Sequence, residues 1–218
     1  EKRKTLWHLS VHLLAIAVKK LYPQAKLGNG QVTDEGFFYD FDNLTIKPSD
    51  LILIQDEMKK LIDEGINCEN ILLSVQQALD FFCNEPYKLQ ILERIEKTEK
   101  ISLCSIGDFY DICSQNHSDK CSNLIAVKLL SIGGAYWMGN PKNQMLTRIS
   151  GIAFENQEAL GEFIAYSELL KKHDHRVIGK QLELFSFHPQ APGSVFWHEN
   201  GLILRNLIIS YWRKAHRK

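Results

Sequence analysis

No apolar run in this sequence approaches the roughly 20 residues that a membrane-spanning helix needs, and no tract is repeated or of low complexity. Neither sign of charge prevails: 26 Lys and Arg stand against 26 Asp and Glu, so no global field draws the chain to nucleic acid. A balanced total still permits a local basic patch, which is enough for a protein that handles only the end of an RNA. Cysteine is sparse and odd in number, five in 218 residues (Cys68, Cys83, Cys104, Cys113 and Cys121). That is no disulfide framework, and it suits a reducing compartment. The opening Glu1-Lys2-Arg3-Lys4 is charged, but the segment after it carries His and Lys and no small-residue cleavage site, so it does not read as a signal peptide. A soluble, cytoplasmic protein with neither membrane nor DNA as partner is expected.

What is present is an ordinary globular composition, 44% hydrophobic and 24% charged. Residues 5–22 read as a helix that is apolar nearly all round, hence buried. Gly28-Asn29-Gly30 reads as a turn, and Phe37 to Asp42 as a strand with aromatics on both faces. Pro48-Ser49 opens a helix that runs to about Glu64, with Ser49 as N-cap and Gly65 as the stop. Another helix is expected from about Glu69 to Phe82. Short strands are expected after it at Lys88–Leu92, Ile101–Ser105, Phe109–Cys113, Val127–Trp137 and Met145–Phe154. Asn156 caps a long helix to about Lys172. A His- and aromatic-bearing loop, Phe185–Gly193, precedes a last helix over about Leu202–His216. The fold class is therefore α+β to about residue 155, with antiparallel sheets around the buried first helix, then a connecting helix and the start of something further. The final residues are too few to bury a core alone, and a piece of a longer protein is the preferred expectation.

Two spacings point to chemistry. His8-Leu9-Ser10-Val11-His12 puts two imidazoles on one helix face. Cys113-Ser114-Gln115-Asn116-His117 comes after an expected strand, so its thiol and imidazole can converge from a turn. Such a set suits either zinc ligation, with three nitrogens and one sulfur, or the positioning of water for hydrolysis. The helix alone is also compatible with two core histidines bonded to backbone carbonyls.

Four blocks carry a resemblance. Gly36-Phe37-Phe38-Tyr39-Asp40-Phe41-Asp42 is similar to GFYYDFD of the threonyl-tRNA synthetase family. Ala135-Tyr136-Trp137-Met138-Gly139-Asn140 and Met145 to Phe154 resemble its AYWRGD…MLQRIYGTAF, the end of the editing domain. Lys172 to Leu182 is similar to its KRDHRKIGKEL, and Ala191-Pro192-Gly193-Ser194-Val195-Phe196-Trp197-His198 resembles the APGxxFWH that begins the class II catalytic domain. The blocks occur in family order across almost the whole chain.

The resemblance implies an editing domain over 1–155, a linker helix over 156–173, and over 174–218 the beginning of a class II domain truncated in motif 1. Its site residues would be His8, His12, Lys88, Asp111, Cys113 and His117. Lys88 taken alone reads equally well as a surface lysine. The implied reaction is hydrolysis of serine from the 3′ end of tRNA(Thr), without metal or other cofactor in this fragment. In it one of His8, His12 or His117 would orient or deprotonate water, Lys88 or a protonated His would stabilise charge, Asp111 would hold the substrate ammonium, and Cys113 would shape the pocket or contact the serine hydroxyl. Zinc at His8, His12, Cys113 and His117 is the rival reading. ATP, Mg and a further zinc belong to the catalytic core beyond this chain, so charging of tRNA is not expected of it, and the full-length protein would be a homodimer. The alternatives are a zinc-dependent alanyl-tRNA-type trans-editing hydrolase and a non-catalytic tRNA-binding module. Departures are concentrated in cations: the family loop is usually Cys-Arg-Gly-Pro-His, Trp7 stands where Arg is common, and Met138 replaces the Arg of YWRGD. These losses bear on affinity for RNA more than on chemistry.

Overall fold

The computed structural model describes residues 2–65, 68–95, 100–113 and 126–217. Helix α1 (Lys2–Leu21) has no Gly or Pro inside it and stops short of Pro23, which cannot continue a helix. Val11, Leu13, Leu14, Ala15, Ala17 and Val18 are buried all round it, making it the central element of the main core. Strands β1 (Lys26–Val32) and β2 (Phe37–Asp42) come next as an antiparallel pair.

Gly28 and Gly30, expected to form a turn, lie instead inside β1. The reason is close approach: a Cβ on Gly28 would stand 2.7 Å from the Asp40 carbonyl oxygen. One on Gly30 would meet Val11 and stand 2.6 Å from Cδ2 of the Tyr39 ring. The register shifts between Leu27 and Gly30, a bulge that bends the strand over α1.

Helix α2 (Asp50–Asp63) is entered as expected at Ser49 and stopped at Gly65, which has φ +70°. Ser49, however, makes no side-chain cap bond; Asp50 accepts from the Lys47 amide at 2.8 Å instead. The expected helix from Glu69 is corrected to a strand, β3 (Cys68–Ser74), followed by α3 (Val75–Phe81). The change happens at Ser74, whose Oγ accepts from the Gln77 amide while the Gln77 side chain accepts from the Ser74 amide. This capping box fixes where the helix starts.

The expected strand Lys88–Leu92 is likewise corrected to a helix, α4 (Pro86–Leu92). Pro86 occupies its first turn, where a fixed φ suits the helix and a missing N–H costs nothing. Strands β4 (Lys100–Ile106) and β5 (Phe109–Ile112) complete a three-stranded antiparallel sheet in the order β3-β4-β5. Strand β6 (Ala126–Tyr136), a 3₁₀ turn (Trp137–Gly139) and β7 (Met145–Phe154) then close a four-stranded antiparallel sheet in the order β1-β2-β7-β6. The α+β class with antiparallel sheets is thus present.

Helix α5 (Gln157–Lys172) begins where Asn156 Oδ1 accepts from the Ala159 amide at 2.8 Å. Sequence periodicity does not reveal α6 (His175–Gln181), which Asp174 caps through the Arg176 amide. The expected loop after Phe185 contains β8 (Phe185–Ser186), paired with β9 (Phe196–Trp197). Helix α7 (Glu199–Ala215) starts earlier than expected. The chain divides into two compact units, Glu1–Leu160 and Gly161–Lys218. Among the described residues, no helix is long and apolar enough to cross a membrane.

Candidate functional site

The first unit gathers five of the six expected site residues. His8 and His12 share one face of α1, one turn apart. Asp111 is on β5, and Cys113 comes directly after that strand, its amide donating to the Ser102 carbonyl of β4 at 2.9 Å. Lys88 comes from α4. His117 lies outside the described residues.

Asp111 is the centre of the cluster. It is 2% exposed, and its carboxylate oxygens meet three donors and the His12 ring. Oδ1 pairs with Lys88 Nζ and accepts from the Ile112 amide at 2.8 Å. Oδ2 accepts from the Tyr39 hydroxyl at 2.9 Å and stands 3.3 Å from His12 Nδ1. Burial pushes the Asp111 carboxyl up, but the charges of Lys88 and His12 and their hydrogen bonds outweigh it and hold the group well below the usual carboxylate range. It is an anion at any working pH. A buried charge is tolerable only when paired and hydrogen-bonded, as here.

The partners are correspondingly fixed. Nδ1 of His12 stands 3.3 Å from the Asp111 carboxylate, and its Nε2 faces His8 Nε2 at 3.3 Å. His8 Nε2 is also 2.9 Å from Cys113 Sγ. A line of polar atoms therefore runs from the buried carboxylate through His12 to His8, which is only half-buried. Lys88 is 2% exposed, so its reading as a surface lysine is overturned.

Sequence reasoning misses Tyr39. Burial first, and then the charge of Asp111, push its phenol well above its ordinary range, so it remains a donor. A signal for it exists: Phe37, Tyr39 and Phe41 alternate onto one face of β2, and a fully buried hydroxyl needs a partner. Gly30 makes room for that ring.

His8, His12 and Cys113 present ligand atoms that all lie within 4.8 Å of one another, a set able to hold a metal ion. Nδ1 of His12 rests on a carboxylate, as metal-ligating histidines commonly do. The opposite face of β2 carries a different arrangement. Arg148 donates to both oxygens of Asp40 at 2.7 and 2.8 Å, and its guanidinium lies 3.6 Å from the Phe38 ring centroid. These residues line a cleft of about 490 Å³ with Trp137 and Met138.

No protein-family model matches the chain. Individual proteins do. A threonine–tRNA ligase of Caldanaerobacter subterraneus subsp. tengcongensis is 44% identical across all of this chain and 34% of its own length. Those of Clostridium tetani and Clostridium botulinum are 42% and 43% identical over 100% and 98% of the chain. The chain spans about a third of the length of these relatives. Over its whole extent, then, the chain is similar to the threonine–tRNA ligases, as the counterpart of about one third of such a protein.

Proposed function

We propose that the Asp111-centred cluster hydrolyses the ester between an amino acid and the 3′-terminal adenosine of tRNA, and that its substrate is serine carried by tRNA(Thr). The observation that carries this reading is the path from the buried Asp111 carboxylate through His12 to the half-buried His8. Ester hydrolysis needs a proton taken from water and one given to the leaving ribose oxygen. Imidazole, with an unperturbed pKa of about 6.5, can do both near neutrality.

In this reading His8 orients the attacking water and takes its proton, with Cys113 bounding the pocket beside it. His12, its ring set beside Asp111, meets His8 edge-on and fixes that ring. Lys88 stabilises the charge that develops on the ester oxygen. The ammonium-binding role that the resemblance implies for Asp111 is not carried over, because its carboxylate is buried and already engaged by Lys88, the Ile112 amide and the Tyr39 hydroxyl. Serine and threonine differ by one methyl, which binding alone discriminates by only about 1–3 kcal/mol. A second, smaller pocket that admits serine and excludes threonine supplies the remainder. We assign this editing work to residues 1–155. Residues 156–173 would link it to a class II start over 174–218, in a longer, dimeric, cytoplasmic ligase that charges tRNA elsewhere in its chain.

The test is deacylation of Ser-tRNA(Thr) beside Thr-tRNA(Thr), with and without chelator. Loss of serine alone, unaffected by chelator and abolished in His8→Ala, His12→Ala and His117→Ala, is expected. Normal rates in all three variants would sink the assignment. Preference for Ala-tRNA would point to a trans-editing hydrolase, and no hydrolysis to a binding module. A metal-assisted reading is favoured by the convergence of His8, His12 and Cys113. It predicts loss of activity with chelator and recovery with zinc.

A further inference from the structure

We propose that Glu85 is a positioning residue for Lys88, acting as a clamp that joins α4 to α1 and β1. The proposal rests, for its effect on turnover, on the hydrolytic reading above. Glu85 occupies the N-cap position of α4, where a side-chain oxygen can accept from the helix's first amides. Glu85 makes no such bond. Its carboxylate reaches outward instead. Oε1 accepts from Lys19 Nζ at 2.9 Å, at the end of α1, and Oε2 accepts from the Leu27 amide at 2.9 Å, on β1.

The site gives this placement a purpose. Helix α4 has seven residues, too short to be set by its own hydrogen bonds, so its position is that of its anchors. Lys88 lies within one turn of Glu85, so any tilt or slide of α4 at its N-terminus is passed directly to the ammonium. Helix α1 carries His8 and His12, and α4 carries Lys88. The Glu85 carboxylate is a direct polar link between these two helices, separate from the one at Asp111, where their cluster side chains meet. Flanking bonds restrain the other sides of α4: Tyr87 donates to Asp42 at 2.7 Å, and Trp137 donates to Gln90 at 2.7 Å. Neither reaches α1. Glu85 itself touches none of the cluster residues in these bonds; its charge bears on the Tyr39 phenol, while its hold on the position of α4 passes through Lys88.

A graded series tests this. Glu85→Gln keeps an acceptor for the Leu27 amide and loses the charge that holds Lys19. Lys19→Ala loses the same link from the other side. Glu85→Ala loses both anchors. Since a displacement of about 1 Å costs on the order of 100-fold in rate, Glu85→Ala is expected to lower kcat for Ser-tRNA(Thr) about 10- to 100-fold. The two single-anchor variants should lower it about 3- to 10-fold, with KM changed less than about 3-fold throughout. A purely structural role would lower the active fraction and the thermal midpoint together, without this order. Equal kcat in wild type and Glu85→Ala overturns the proposal, as does a loss confined to KM.

A second readout needs no activity. The Lys88 ammonium, buried against Asp111, gives a protected side-chain ¹⁵N–H signal in lysine-labelled protein. That signal is expected in wild type and Glu85→Gln and lost or broadened in Glu85→Ala. Its persistence in a folded Glu85→Ala overturns the proposal even if the chain hydrolyses no ester. If Glu85→Ala does not fold, Lys19→Ala decides: an unchanged kcat overturns it. Absence of hydrolysis in wild type with the signal behaving as expected refutes the functional reading and leaves the clamp standing.

Discussion

Asp111 is held ionised inside the protein by Lys88, His12 and Tyr39, and each of these would be left stranded by its loss. Removing one partner from a buried ion pair costs about 3–5 kcal/mol, because the other charge stays behind without compensation. Lys88→Met should therefore destabilise the chain by about that amount in urea unfolding. A change under about 1 kcal/mol would mean that the pair is effectively solvated. The pH dependence has a definite sign. The folded-state pKa of Asp111 is depressed, so its stabilisation is complete above the unfolded value of about 3.9. It is lost as pH falls below that value towards the folded one. Stability measured by urea midpoint should consequently drop between pH 5 and acid pH, and Asp111→Asn should flatten part of that slope. An identical slope in the variant would place the acid sensitivity elsewhere.

Helices and strands are legible in the sequence where period and chemistry agree, and are misread where a local device overrides the pattern. β2, β4, β5, β6 and β7 are readable because β-branched and aromatic residues cluster between turn residues. The helix α1 is plain from its unbroken apolar character, and so is the HxxxH pair on it. The region from Glu69 to Phe82 reads as one helix because its apolar spacing suits either state. What decides it is Ser74 with Gln77, a capping box three residues apart, and the pairing of Cys68–Ser74 with β4. Ser74→Ala should cost about 1 kcal/mol by removing that start signal, read as a lower thermal midpoint. At Gly28 and Gly30 the habit of reading glycine as a turn fails, since here it grants close approach within a strand. Gly30→Ala should push the Tyr39 ring off its position and weaken its bond to Asp111. The loss expected is about 1–3 kcal/mol with a fall in hydrolysis, whereas an unperturbed variant would show that α1 yields instead. The cluster itself is legible only through spacing and resemblance. Tyr39 and Glu85 escape because partners 72 and 66 residues distant in sequence leave no local signature.

All the described site residues fall within the unit Glu1–Leu160, and so do Glu85, Lys19 and Tyr39. The unit Gly161–Lys218 has a different character. On α7 the side chains of Ile203, Leu207, Ile208, Tyr211 and Trp212 are each more than half exposed. Apolar area of that extent, on a chain whose formal net charge is zero at pH 7, favours self-association over solubility. These two facts separate the chemistry from the colloidal behaviour. A chain ending at Leu160 should keep its site geometry, because no hydrogen bond described for the cluster comes from beyond that point. It should therefore hydrolyse Ser-tRNA(Thr) at saturation within about 3-fold of the longer chain, while KM rises if the basic end of α7 helps hold RNA phosphates. Light scattering should find the shorter chain monomeric at concentrations where the longer one associates. A shorter chain that folds, by its near-ultraviolet dichroism, yet loses more than about 10-fold in kcat would show that the second unit orders the site.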